Sequence, residues 1–337
     1  MTPEVKNFIG LDISKHTIDA ALIVNLQKEQ MLHARFQKNK TGLKQFIEWL
    51  QSCKVTLNEE TVCCMEHTGL YNRSLLLFLS HYPLRIWVER THHIKHSLGL
   101  QRGKSDKIDA ERIALFAYKN RDDIKVWEPV DKDIQRLKDL LAQRERLCQA
   151  RVKLSVGIKG LKEEGLKEEA KVMEQLQKPA LDGLEKSLER VEGLIRKIIA
   201  QNVTLERKIK CITSVTGIGE VIAWHFIVFT NGFKRLSKGK QLACFCGVVP
   251  FKHESGKSIR GKTRVSHMAN KKLKCLLHMG AMAAITYDEQ MKTYYKRKVL
   301  EGKNKMSILN AVRNKLVLRI AAVIREDKEY VKVPLVA

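Results

Sequence analysis

The sequence predicts an α/β layer followed by a mainly helical remainder, and three observations carry that reading. Apolar runs of strand length fall at residues 7–14, 16–24, 31–36, 61–65 and 84–88. Helix-period segments separate the later runs, and from about Lys132 onward the pattern becomes charge-rich and helical.

The first three runs follow one another closely and read as a hairpin sheet. Residues 41–51 then form an amphipathic crossover helix, the strand 61–65 ends on Glu66, and a helix over residues 71–81 leads to the strand 84–88. The stretch Lys104-Ser105-Asp106-Lys107-Ile108-Asp109-Ala110 opens a further helix. An antiparallel meander, then alternating helices and strands, then a helix bearing two acids is the order of a ribonuclease H-like α/β domain.

Beyond it, residues 132–177 read as one helical arm that Pro179 breaks, and a second arm begins near Ala180. Along that arm Leu181, Leu184, Leu188, Val191, Ile195, Ile198, Asn202, Leu205 and Ile209 alternate spacings of three and four, the seam of a long coiled-coil hairpin with one polar residue. The seam either pairs only with the first arm or joins separate chains. Residues 212–219 with the apolar helix 221–229 resemble a helix-hairpin-helix element, in a carboxy-terminal domain of mainly helical character. The expected domains are 1–128, 129–211 and 212–337.

A formal charge of +25, from 62 Lys and Arg against 37 Asp and Glu, calls for a polyanionic partner. Nucleic acid fits better than a membrane, since the longest apolar runs are far too short to span one. The eight cysteines show no Cys-x-x-Cys spacing, so zinc is a weak reading and free thiols in a reducing cytoplasm are expected. No signal-peptide pattern is seen at the start.

Four acids carry the candidate chemistry. Asp12 interrupts an apolar strand, where an unpaired carboxylate is costly, and Glu66 closes another strand. Asp106 and Asp109 stand three apart at a helix start, hence on one face. Carboxylates so held raise one another's pKa and suit a hard divalent cation; the plainer reading makes Asp106 an N-cap and Asp109 a first-turn residue favoured by the helix dipole. Gly217 and Gly219 either cradle a phosphate at a helix N-terminus or simply allow a tight turn. Ser255, with Lys257, Arg260, Lys262 and Arg264 around it and Lys271 and Lys272 beyond, lies on a Gly-rich basic segment. On residue pattern alone this segment is first a DNA-binding loop and only second a nucleophile's setting.

The set Asp12, Glu66, Asp106 and Asp109, the Ser-Asp-x-x-Asp-Ala form at residues 105–110, the later Gly-Ile-Gly, and Glu-Ser-Gly followed by Arg260-Gly261 resembles the DEDD transposases of insertion sequences, akin to Piv-type DNA invertases. That resemblance spans residues 8–285. It implies a RuvC-like domain whose four acids bind magnesium, joined through a coiled coil to a domain whose serine, here Ser255, attacks a DNA phosphate. It further implies donor and target DNA as partners, a structured guide RNA encoded by the element, and a dimer to tetramer whose active sites combine domains of different subunits. The chain departs from the pattern at His267 and Ala269, where the family more often has Lys and Gly. Two other readings stay open: a RuvC-like endonuclease using metal-activated water, and a non-catalytic nucleic-acid scaffold.

Overall fold

A computed structural model describes residues 3–97, 99, 103, 105–234, 236–255 and 259–331. The chain divides into two compact units, Met1–Pro129 and Val130–Ala337.

The first unit is a five-stranded mixed sheet with helices on both faces. Strands β1 (Asn7–Ile13), β2 (Thr17–Ile23) and β3 (Leu32–Gln37) are antiparallel neighbours. On the other side of β1, β4 (Thr61–Glu66) and β5 (Arg85–Glu89) run parallel to it, giving the order β3-β2-β1-β4-β5. Apart from the edge strand β3, the sheet is largely buried on both faces, which is why these strands read as continuous apolar runs instead of alternating ones.

Alternation along each strand sends Ile9, Leu11, Cys63 and Met65 to the face covered by α1 (Lys40–Ser52) and α2 (Leu70–Leu79), through Phe46, Leu50, Leu75 and Leu79. Phe8, Ala21, Ile23, Val62, Cys64 and Trp87 face the other way, toward Ala110, Ile113, Ala114 and Phe116 of α4 (Asp106–Lys119). Between β5 and α4 lies a short helix that the sequence pattern did not disclose, α3 (Thr91–Ser97). Gly10 of β1 is where α4 crosses: a Cβ there would stand 2.2 Å from both the Ala110 carbonyl oxygen and the Ala114 nitrogen. Only glycine lets the helix backbone come this close to the strand.

The second unit opens with an antiparallel hairpin of α5 (Lys132–Glu163) and α6 (Lys167–Ala200). Ion pairs Arg144–Glu192, Arg151–Glu185 and Lys162–Glu174 run along it, one partner's number falling as the other's rises. The turn differs from expectation. Pro179 lies inside α6, and the chain reverses earlier, at Gly165 with φ of +81°. A proline removes one helical hydrogen bond at a cost of about 3 kcal/mol, which the rest of a 34-residue helix outweighs here.

Asn202 also differs, standing in no seam. It caps α7 (Val203–Thr213), accepting from the Leu205 N–H at 3.2 Å and donating to Asp133 at 3.0 Å. Ile195 and Leu205 of the expected seam are buried within this chain's own core, with Leu137 and Leu141 of α5.

That core continues through α8 (Glu220–Thr230), α9 (Gly239–Phe245), α10 (Lys271–Tyr287), α11 (Glu289–Leu300) and α12 (Lys305–Glu326). A ribbon of β6 (Pro250–Ser255) and β7 (Ile259–Val265) precedes α10. All eight cysteines are free thiols. Among the described residues no helix is long and apolar enough to cross a membrane.

Candidate active site

Period-two alternation assembles the acids. Asp12 shares its parity on β1 with Phe8 and Gly10, and Glu66 shares its parity on β4 with Val62 and Cys64, so both stand on the α4 face of the sheet. The Gly10 crossing brings the first turn of α4, with Asp106 and Asp109, over that face. The four predicted acids therefore lie in one electrostatic neighbourhood. Asp12 shows it: burial, then the charges of Asp109, Asp106, Glu66 and Asp19, push its carboxyl up to about 6.

Each acid is held differently. Ser105, not Asp106, is the N-cap of α4, accepting from the Ile108 N–H at 3.2 Å. Asp106 is thereby freed from capping and accepts from Arg35 Nη2 at 2.8 Å. Asp109 accepts from Arg112 Nη1 at 3.0 Å. Glu66 accepts from the Thr91 hydroxyl at 2.9 Å, and its carbonyl from the buried Asn72 at 2.6 Å. Among the described residues no three His, Cys, Asp or Glu side chains are drawn together tightly enough to hold a metal ion; Asp106 and Asp109 meet arginines instead. The donor set itself suits a hard divalent cation: carboxylate oxygens only, with one of them buried and then crowded enough by the others that it resists ionisation.

In the second unit the segment expected as a loop is the β6–β7 ribbon, with Ser255 at the end of β6 opposite Ile259, and Glu254 opposite Arg260. Its residues alternate in the manner of a strand, and the glycine and charges concealed this. Lys257 lies outside the described residues, and Arg260 and Lys262 are placed by backbone on β7. Arg264, also on β7, and Lys271, at the start of α10, are exposed. Lys272 instead pairs with Glu145 of α5. Gly217, at φ of +92°, lets its turn press on α10, where a Cβ would meet the Gly280 carbonyl oxygen at 2.4 Å. Gly219 is the N-cap of α8, whose first residue, Glu220, pairs with Arg196 at 2.9 Å.

Two family profiles match this chain: one described as a transposase, of the DEDD type associated with IS110, over residues 9–161, and one described as the transposase IS116/IS110/IS902 family over residues 209–296. Two domains of insertion-sequence transposases thus lie in this chain. It is similar to the pilin gene-inverting proteins of Moraxella bovis and Moraxella lacunata, each 27% identical over 97% of this chain and 98% of the relative. It also resembles an insertion element IS900 uncharacterized 42 kDa protein of Mycobacterium paratuberculosis, 25% identical over 40% of this chain and 33% of that one. The chain is thus a recombinase or transposase, an enzyme acting on DNA.

The transposase has polar groups at this face that the sequence reading missed. Asp19 of β2 is the register partner of Asp12, is buried, and is held by His33 at 3.0 Å and by Arg35 Nε at 2.9 Å. Glu89 of β5 is the register partner of Glu66. Burial pushes its carboxyl up, but the Arg90 N–H, His93 and Lys125 outweigh that and hold it below the usual range. The signal for Asp19 was available: like Asp12, it is a lone carboxylate inside an apolar run.

Proposed function

We propose that this transposase exchanges DNA strands through Ser255, with Asp12, Glu66, Asp106 and Asp109 holding a divalent cation, magnesium. The observation that carries the reading is the convergence of the acids on the α4 face, whose charges add to burial in raising the Asp12 pKa. The strand order, with three antiparallel strands extended by two parallel ones, supports a ribonuclease H-like, RuvC-like assignment of the first unit. Bound there, the cation would supply Lewis-acid polarisation of a phosphate oxygen.

The chain's own residues do the rest. Thr91 and Asn72 fix Glu66 at the end of β4, and the Gly10 crossing sets the height of Asp106 and Asp109 above the sheet. The Ser255 oxygen forms a bond to phosphorus, a bridging P–O bond breaks, the serine proton passes to a carboxylate, and the departing DNA hydroxyl is protonated. The phosphodiester is conserved as a serine–DNA ester, so strands rejoin without net hydrolysis. The α5–α6 hairpin serves as a coiled-coil spacer, and two to four copies assemble on donor and target DNA with a structured guide RNA; the excess positive charge supports both polyanions.

Ser255→Ala separates this from cleavage by activated water. In denaturing electrophoresis of labelled substrate with magnesium, the wild type is expected to give a protease-sensitive shifted band, and the variant to lose both band and strand exchange while still binding DNA. Cleavage by the variant at near wild-type rate would instead establish the nuclease. Binding itself is expected to be electrostatic. Arg264→Ala and Lys271→Ala each reduce the slope of log affinity against log salt by about 1, alike for all sequences, as measured by fluorescence anisotropy; a loss confined to one base position counts against backbone recognition.

A further inference from the structure

We propose that Arg35 is a built-in counter-cation of the acid cluster, anchored permanently on Asp19 and releasably on Asp106, which competes with the divalent cation for Asp106. The inference rests on the acids holding such a cation.

The geometry is asymmetric. Asp12, Asp19 and Arg35 occupy one register row across β1, β2 and β3. Arg35 Nε lies 3.1 and 2.9 Å from the two oxygens of Asp19. The Asp19 side chain is only 3% exposed and is held by His33 as well, so this end of the bridge has nowhere to go. Arg35 Nη2 extends from the same planar fork to Asp106 Oδ2 at 2.8 Å, a contact between side chains that are 54% and 56% exposed. This end opens to water.

A guanidinium can serve two carboxylates because its donors point in fixed, different directions. The buried carboxylate thus spends no time unpaired while the exposed one is exchanged. The bridge also spans 71 residues of sequence, tying the edge strand β3 to the first turn of α4. With Arg35 in place, Asp106 is already neutralised and α4 already seated; a divalent cation must take Asp106 from Arg35, and Arg35 recovers it when the cation leaves. The bridge therefore holds down cation affinity and keeps the acidic helix start ordered between cycles.

The test is calorimetric titration of the full-length chain with Mn²⁺, together with hydrogen exchange of the metal-free protein. Arg35→Gln is expected to bind Mn²⁺ about fivefold more tightly, the upper end of what one exposed ion pair is worth. In the metal-free state its amides over residues 105–109 exchange faster. Arg35→Lys keeps a cation on Asp19, and so the fold, but cannot span both carboxylates; it tightens binding by less. Asp12→Asn serves as the control for the site itself. Binding lost in Asp12→Asn but unchanged or weaker in Arg35→Gln and Arg35→Lys overturns the counter-cation and leaves the cation site standing. Wild type and Asp12→Asn titrating alike overturns both.

Discussion

Asp12→Asn is expected to abolish recombination and, at the same time, to make the metal-free protein more stable at neutral pH. The activity loss is on the order of 10³-fold or more, the scale set by removing one group on which developing charge depends, read as strand exchange per unit time. The stability gain follows from proton linkage. Asp12 has an ordinary value of 3.8 and a folded value of about 6. Between those values the folded state binds more protons than the unfolded, so stability falls as pH rises through the window. The penalty is absent below 3.8 and complete above about 6. An amide of the same shape does not ionise and escapes it. Urea unfolding of both proteins from pH 4 to pH 7, without divalent cations, should show wild type losing ground to Asp12→Asn as pH rises, then a constant difference. Taking the difference cancels carboxylates such as Glu89 and Glu145 that shift the opposite way. Parallel curves would show that Asp12 is not under the strain described.

Gly10→Ala carries a large expected structural effect for a single methyl. The new Cβ would stand 2.2 Å from two backbone atoms of α4 that cannot rotate away, so the helix must lift. Overpacking of this kind costs about 3 kcal/mol at its upper end, measurable by urea unfolding of the full chain. The more informative readout is Asp12 itself: lifting α4 exposes it and moves Asp106 and Asp109 off, so its pKa should fall back toward 3.8, observable by NMR titration. A variant with unchanged stability and an unchanged Asp12 pKa contradicts the close crossing.

Most of the first unit was legible because a buried mixed sheet writes itself as apolar runs. The strands around Asp12 and Glu66 and the helix at Asp106 fall where the sequence puts them. What could not be read depends on register. That Arg35 stands beside Asp19, and Glu89 beside Glu66, follows only once the strands are paired. Pro179 misled because a local penalty was weighed without the packing that overrides it, and Asn202 because a spacing of three and four continues across a cap as smoothly as along a seam. The β6–β7 ribbon was hidden by its glycine and its charges, which are loop signals in isolation.

The acids of the α4 face also give the molecule a repellent spot. A chain of net charge +25 attracts a phosphate backbone, yet at this face Asp12, Glu66, Asp106 and Asp109 lie together, their charge offset only in part by Arg35 and Arg112. Under the proposed mechanism, DNA would settle on the basic surface while its scissile phosphate is held off these acids until a bound divalent cation reverses the local sign. Capture and commitment would then respond to different ions: monovalent salt would weaken the grip, and divalent salt would admit the phosphate.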